Sequence, residues 1–326
     1  MSGPRSLFAT SEGSRPEAFG AAEWALLLGT ATIWGSSYLW IELGLRGLHP
    51  GVVSVSRVLL GLGAIALIPR SRVPIDRGDR GRLWVLGLGW FGLPMITFPI
   101  AQDLGVATSV VGMLNGAMPL LTTFFASLLL RRVPRPRQLV GVAVGFAGLL
   151  AISAPELAGA DATALGVALI LGTMLVGSLL VSVLVPMQQR YGALPVLRRT
   201  LTIALVPTVP FAVYGLPRST PDAVSVLAML PLGLLSTGLA FVLWTTLVGR
   251  TGASRGSVVS YLVPVVAIIL GVVVLGEQVA TVALVGTGAV LLGAWAVSGQ
   301  EGRALPPRDP APPSTPADPT PPAAPG

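Results

Sequence analysis

The chain has 326 residues, of which 52% are hydrophobic and 11% charged, roughly half the charged share of a soluble globular domain, and that excludes a water-soluble fold. Its formal charge of +7 comes from 21 arginines without a lysine, set against 14 acids; phosphate-loop nucleotide hydrolysis and Schiff-base chemistry are thereby removed, and the scattered arginines form no contiguous cationic face for nucleic acid. With no cysteine and a single histidine, His49, the chain also lacks the means for disulfides, thiolate catalysis, iron–sulfur clusters or a multi-histidine metal site.

Residues 1–23 mix Arg5 and Arg15 with Glu12, Glu17 and Glu23 and contain no apolar core. They read as a cytoplasmic segment, not a cleavable signal peptide, with the first helix acting as an uncleaved anchor. Stretches free of Asp, Glu, Lys and Arg then run over 24–41, 83–102, 104–130, 138–155, 162–189, 200–217, 223–249, 256–276 and 278–300, and 47–69 is broken only by Arg57. Each reaches or nearly reaches the roughly 20 residues an α-helix needs to cross the hydrocarbon layer. The expectation is an all-α integral membrane protein of ten transmembrane helices. Residues 299–326 carry ten prolines, too little apolar surface to offset ordering entropy, and predict a disordered, partly polyproline cytoplasmic tail.

Cytoplasmic loops retain arginine. With the N-terminus inside, eighteen arginines fall on cytoplasmic segments and two, Arg46 and Arg218, on outer loops, with Arg57 in the membrane. The outer loops carry Asp103, Glu156, Asp161, Asp222 and Glu277. Both termini are therefore placed in the cytoplasm.

Shifted by 145 residues, segment 109–153 aligns without a gap on 254–298, matching Pro119 to Pro264, Gly141 to Gly286, Gly148 to Gly293 and Ser153 to Ser298, and Pro50 meets Pro195 at the same offset. Two repeats follow, 24–155 and 162–298, of five helices each. An odd number of crossings inverts the second repeat relative to the first. Inverted repeats are a recurrent basis for alternating access, with the substrate site near the midplane between them.

The stretches WGSSYLWIELGL (34–45), PGVVSVSRVLL (50–60) and especially GLLSTGLAFVLWTTLVGRTGASRGSVVSYLVPVVAIILGVVVLGE (233–277) resemble the EamA-type branch of the drug/metabolite transporter superfamily. The resemblance spans about 25–300. It implies ten helices as two EamA repeats, a central cavity, and export of small metabolites such as amino acids or drugs across the bacterial plasma membrane. One departure stands out: Arg132 sits where the second half has Glu277.

Arg57 is the one cation inside an apolar stretch, where charge costs several kcal/mol unless it faces a cavity or partner. It reads either as an anchor for a substrate carboxylate or as a structural partner of Glu42; the resemblance adds weight to its importance without choosing. Glu42, near the outer end of the first helix, reads as an acid paired with Arg57 or Arg46, or as a proton-coupling group. Mid-depth aromatic and polar residues that suit a wet cavity are Trp34, Ser37 and Tyr38 on helix one, Trp90 on helix three, Asn115 on helix four, Thr237 and Trp244 on helix eight, and Ser260 with Tyr261 on helix nine. Pro119 and Pro264, equivalent in the repeat, are candidate hinges. Trp24, Trp84 and Trp295 suit the interfacial belt.

The expected function is transport of a small amino acid-like or drug-like solute by alternating access, with no cofactor and no catalytic residue. The rivals are a membrane enzyme acting on a lipid or lipid-linked substrate, for which clustered His, Asp or Glu are lacking, and a non-transporting sensor. The expected partners are the lipid bilayer and a small-molecule substrate; nucleic acid is not among them, and a homodimer stays open.

Overall fold

The structure is a computed structural model that describes residues 20–129, 136–157, 161–251 and 259–298. The Pro-rich tail, Arg132 and all of the N-terminal segment except residues 20–23 thus lie outside the described residues. Helix is the regular structure throughout; no strand occurs among the described residues.

The first rod is α1 (Ala21–Leu45), whose first turn is closed by Glu23 accepting the Gly20 backbone N–H at 3.2 Å. A tight turn leads to α2 (Pro50–Ala66). Here proline supplies the first helical φ and His49 accepts the Gly51 N–H through Nδ1 at 3.1 Å, so the lone histidine is a helix cap. After two 3₁₀ turns, α3 (Arg80–Val85), a π-helical stretch (Leu86–Gly92) and α4 (Leu93–Asp103) run on as one rod. Two shorter helices follow, α5 (Thr108–Asn115) and α6 (Met118–Leu129), then α7 (Pro136–Leu157), α8 (Asp161–Tyr191) and α9 (Ala193–Gly215).

The rod α10 (Ala223–Leu230), π stretch (Pro231–Leu239) and α11 (Ala240–Thr251) repeats the α–π–α pattern. It starts at Asp222, whose carboxylate accepts the Ser225 N–H at 2.6 Å. That backbone hydrogen bond holds the Asp222 carboxyl below the usual carboxylate range. The chain closes with α12 (Val259–Leu275) and α13 (Thr281–Ser298). The π turns are real i→i+5 closures, Leu93 N–H to Leu88 O and Ala240 N–H to Leu235 O. The two stretches begin at 86 and 231, the same 145-residue separation as the sequence match.

Four helical rods are long and apolar enough to cross a membrane: Arg77–Asp103, Ala162–Tyr191, Ala193–Arg218 and Ala223–Leu247, with mean hydropathies from 1.5 to 2.5. Several shorter apolar helices, among them α2, α12 and part of α7, fall below that length. The outer surface is apolar, with Leu150, Val213, Val273, Val285 and Leu292 each exposing 64–76% of their area. In water such a skin would drive aggregation; against lipid tails it costs nothing.

With apolar solvent outside, close backbone approach does the work that hydrophobic burial does in soluble proteins. One such seam joins α7 to α13, where Gly148 and Gly293 meet carbonyls directly. A Cβ on Gly148 would stand 2.5 Å from the Gly286 carbonyl oxygen, and one on Gly293 would stand 2.5 Å from that of Gly141. At these glycines the absence of side chains lets the two backbones touch. Gly276 takes a φ of 71°, the left-handed turn that ends α12 and folds Glu277 back toward the bundle.

A central cavity sealed at one end

Trp34, Ser37 and Tyr38 follow the i, i+3, i+4 spacing that puts side chains on one face of α1. That face lines a central cavity of about 1670 Å³. Across it stand Arg57 from α2, Trp90 from the first π stretch, Asn115 from the end of α5, Pro119 from α6, Trp244 from α11 and Ser260 from α12. The cavity runs to the end of the molecule that bears the arginine-rich loops, where Arg70, Gln188, Gln189 and Tyr191 line its mouth.

Arg57 is held from behind. Its Nε donates to the Thr237 hydroxyl at 2.9 Å, and that hydroxyl donates onward to the Leu232 carbonyl at 3.3 Å. Thr237 is fully buried beneath the cavity wall, so its part is to aim the guanidinium. Arg57 exposes only 6% of its surface and lines the cavity. No carboxylate pairs with Arg57 among the described residues. A planar guanidinium fixed through Nε presents its two terminal nitrogens as a fork suited to a carboxylate.

Aromatic rings flank this cation. Trp34 donates its indole N–H to the Ser236 carbonyl at 3.2 Å and packs edge-on against Phe241, centroids 5.2 Å apart, with Trp244 at 5.9 Å. Tyr38 accepts a hydrogen bond from the Asn115 amide and meets Phe98 edge to face at 6.0 Å. Thr173 of α8 donates to Thr97 of α4 at 2.8 Å, which ties the rods on that side. The arrangement offers one fixed cation, hydroxyl and amide groups, and apolar ring faces, and so suits a small amphipathic solute.

The opposite end is closed. Glu277 accepts two backbone N–H groups at the start of α5, from Thr108 at 2.7 Å and Ser109 at 2.9 Å. Gln102 donates to the Tyr38 carbonyl at 3.0 Å, to the Thr108 hydroxyl at 3.1 Å and to Glu42 at 3.4 Å, while its own Oε1 is buried without a partner. Thr220 N–H bonds the Gly47 carbonyl at 2.8 Å and His49 N–H the Ser219 hydroxyl at 3.0 Å, which joins the α1–α2 turn to the α9–α10 turn.

Several expectations need correction. Glu42 forms no ion pair with Arg57 or Arg46 among the described residues; it belongs to the closed end, held by Gln102. Thr237 supports Arg57 and does not line the cavity. Tyr261 points away from the cavity that its neighbour Ser260 lines, and packs beside Leu120 and Ala294. The candidate hinge Pro264 packs on Gly116, where an added Cβ would stand 2.7 Å from its Cγ. The sequence reading passed over Gln102, Phe98 and Phe241; for Phe241 the i, i+3 spacing to Trp244 was an available signal.

Residues 23–154 and 162–299 match the EamA-like transporter family. The chain belongs to that family. It is therefore a transporter of multi-pass membrane type, and not an enzyme. A probable terminal-alkyne amino-acid exporter from Streptantibioticus cattleyicolor is 28% identical over 81% of this chain and 89% of its own. A probable amino-acid metabolite efflux pump from Escherichia coli is 23% identical over 82% and 92%. An uncharacterized transporter from Archaeoglobus fulgidus is 23% identical over 84% and 98%. Among solved structures, one crystal structure superposes with a TM-score of 0.58 at 19% identity, over 87% of this chain and 99% of that one, a likeness of fold.

Proposed function

We propose that the protein exports a small amino acid-like carboxylate by alternating access, with Arg57 binding the carboxylate and the rings of Trp34, Trp90 and Trp244 the solute's apolar body. The observation that carries this reading is Arg57 itself, a cation fixed by Thr237 at a cavity wall without a carboxylate among the described residues paired to it. The names of the amino-acid exporters and efflux pumps it is similar to support the substrate class. The proposed architecture is ten membrane helices as two inverted five-helix repeats, which the equal spacing of the two π stretches supports. We place it in the bacterial plasma membrane with both termini in the cytoplasm, on the arginine count. In that orientation the described conformation is open to the cytoplasm, ready to load a solute for export.

Counterflow in proteoliposomes tests the substrate class. Free amino-acid carboxylates with apolar side chains are expected to compete for flux, and their methyl esters, which keep the amine and side chain, to fail at equal concentration. Equal competition by ester and acid would remove the carboxylate from the recognition.

Orientation has its own test in this cysteine-free chain. Gly78 is exposed with no atom near its Cβ direction, and Thr220 is exposed on the opposite end. Gly78→Cys is expected to react with an impermeant maleimide only from the cytoplasmic face and Thr220→Cys only from outside. Reaction of both from one face contradicts the placement.

A further inference from the structure

A second depression of about 560 Å³ lies between the start of α3 and the start of α9, away from the central cavity. Arg80, Arg198 and Arg199 line it together with Trp84 and Ile203, and no carboxylate does. The acids that precede Arg80 in sequence are engaged elsewhere: Asp76 by Arg190 at 2.8 Å, Asp79 by Arg82 at 2.6 Å and Arg190 at 3.0 Å. Arg199 spends one donor on the Pro195 carbonyl at 3.2 Å. Arg80 and Arg198 form no ion pair among the described residues. Three gathered cations repel one another until an anion joins them.

What surrounds the arginines narrows the class of anion. Trp84 is 49% exposed, and along the same rods Val85, Leu88 and Val206 are 50%, 41% and 54% exposed. An indole of this kind sits where headgroups meet hydrocarbon. The apolar strip continues from there along α3 and α9. A free phosphate would use only the arginines. A molecule with a phosphodiester at one end and acyl chains at the other uses both surfaces.

We propose that this groove binds the phosphodiester headgroup of an anionic phospholipid, with Arg80 and Arg198 as its phosphate contacts and its acyl chains along Val85, Leu88 and Val206. The site is independent of the transported solute.

The test is thermal unfolding of the purified full chain in mild detergent, titrated with phosphatidylglycerol, phosphatidylcholine or inorganic phosphate. Phosphatidylglycerol is expected to raise the melting temperature saturably, and the other two to have little effect. In the Arg80→Gln/Arg198→Gln variant the half-saturating concentration is expected to rise on the order of tenfold, given the usual affinity of each surface arginine for anionic lipid. An Arg72→Gln/Arg77→Gln variant, matched in charge and outside the groove, is expected to stay within about twofold of wild type. Equal weakening in both variants would replace the site by diffuse attraction, and an equal shift by inorganic phosphate would make it a soluble-anion site; either overturns the proposal. A measurement on proteins with intact arginines guards against misfolding: phosphatidylglycerol with brominated acyl chains should quench more tryptophan emission in wild type than in Trp84→Phe. No difference between the two contradicts lipid occupancy.

Discussion

Replacing Arg57 with leucine is expected to reduce flux on the order of 10- to 100-fold, since a hydrogen bond to a charged group contributes about 1.5–3 kcal/mol. The fold is expected to survive. Thr237 keeps its bond to the Leu232 carbonyl, and removing a buried cation also removes its desolvation cost. Thermal stability should therefore match or exceed that of wild type. Arg57→Lys retains charge but loses the fork and the Nε bond to Thr237, so an intermediate flux is expected. Adding Glu42→Gln should neither restore flux nor change stability through Arg57, because Glu42 is bound to Gln102 and not to Arg57. The measurement is proteoliposome flux beside thermal unfolding for the three variants. Wild-type flux in Arg57→Leu would dismiss the carboxylate anchor; a loss of stability repaired by Glu42→Gln would reinstate the ion pair.

Glu277→Ala is expected to loosen the closed end. Its carboxylate occupies the N-terminus of α5 through two backbone N–H bonds, a position where removing a cap costs about 0.5–2 kcal/mol. The open fraction at that end should rise by about 2- to 30-fold. Val110, 6% exposed on α5, reports it: Val110→Cys should react slowly with an impermeant maleimide, and faster by that factor in the Glu277→Ala background. Glu277→Gln, which retains a neutral acceptor, should fall between. An unchanged labelling rate would show that the seal rests on other contacts. At the sequence-equivalent position, 145 residues earlier, the chain has Arg132, and a cation cannot cap a helix N-terminus.

The helices were legible because charge and apolar length are recorded directly in sequence: the gap 24–41 underlies Ala21–Leu45, and 162–189 underlies Asp161–Tyr191. Arg57 was legible for the same reason, as the one cation in an apolar run. Its partner was not. Glu42 is fifteen residues away and opposite in charge, whereas Thr237 lies 180 residues on and carries no charge; only the packing of α2 against the second π stretch joins them. Ser260 and Tyr261 show the other gap, since neighbours on a helix diverge by about 100° and one faces the cavity while the other faces α6 and α13. Gln102 looked like the polar end of an apolar stretch, and its amide contacts reach α1, at Tyr38 and Glu42, and the start of α5, at Thr108.

The paired π stretches carry a consequence of a different order. An i→i+5 turn absorbs one residue more than an α-turn, so everything after it is advanced in azimuth by about 100° relative to an unbroken helix. Met95, Phe98 and Gln102 owe their heading to the surplus within Leu86–Gly92, and Trp244 owes its heading to the surplus within Pro231–Leu239. Excising one residue from the first stretch would leave hydropathy and charge almost untouched while swinging Phe98 off the cavity and Gln102 off the Tyr38 carbonyl. Which solute is bound is thus encoded partly as arithmetic: the number of residues preceding a side chain matters as much as its kind, and chains of near-identical composition that differ by one position in these stretches would present different walls to their cargo.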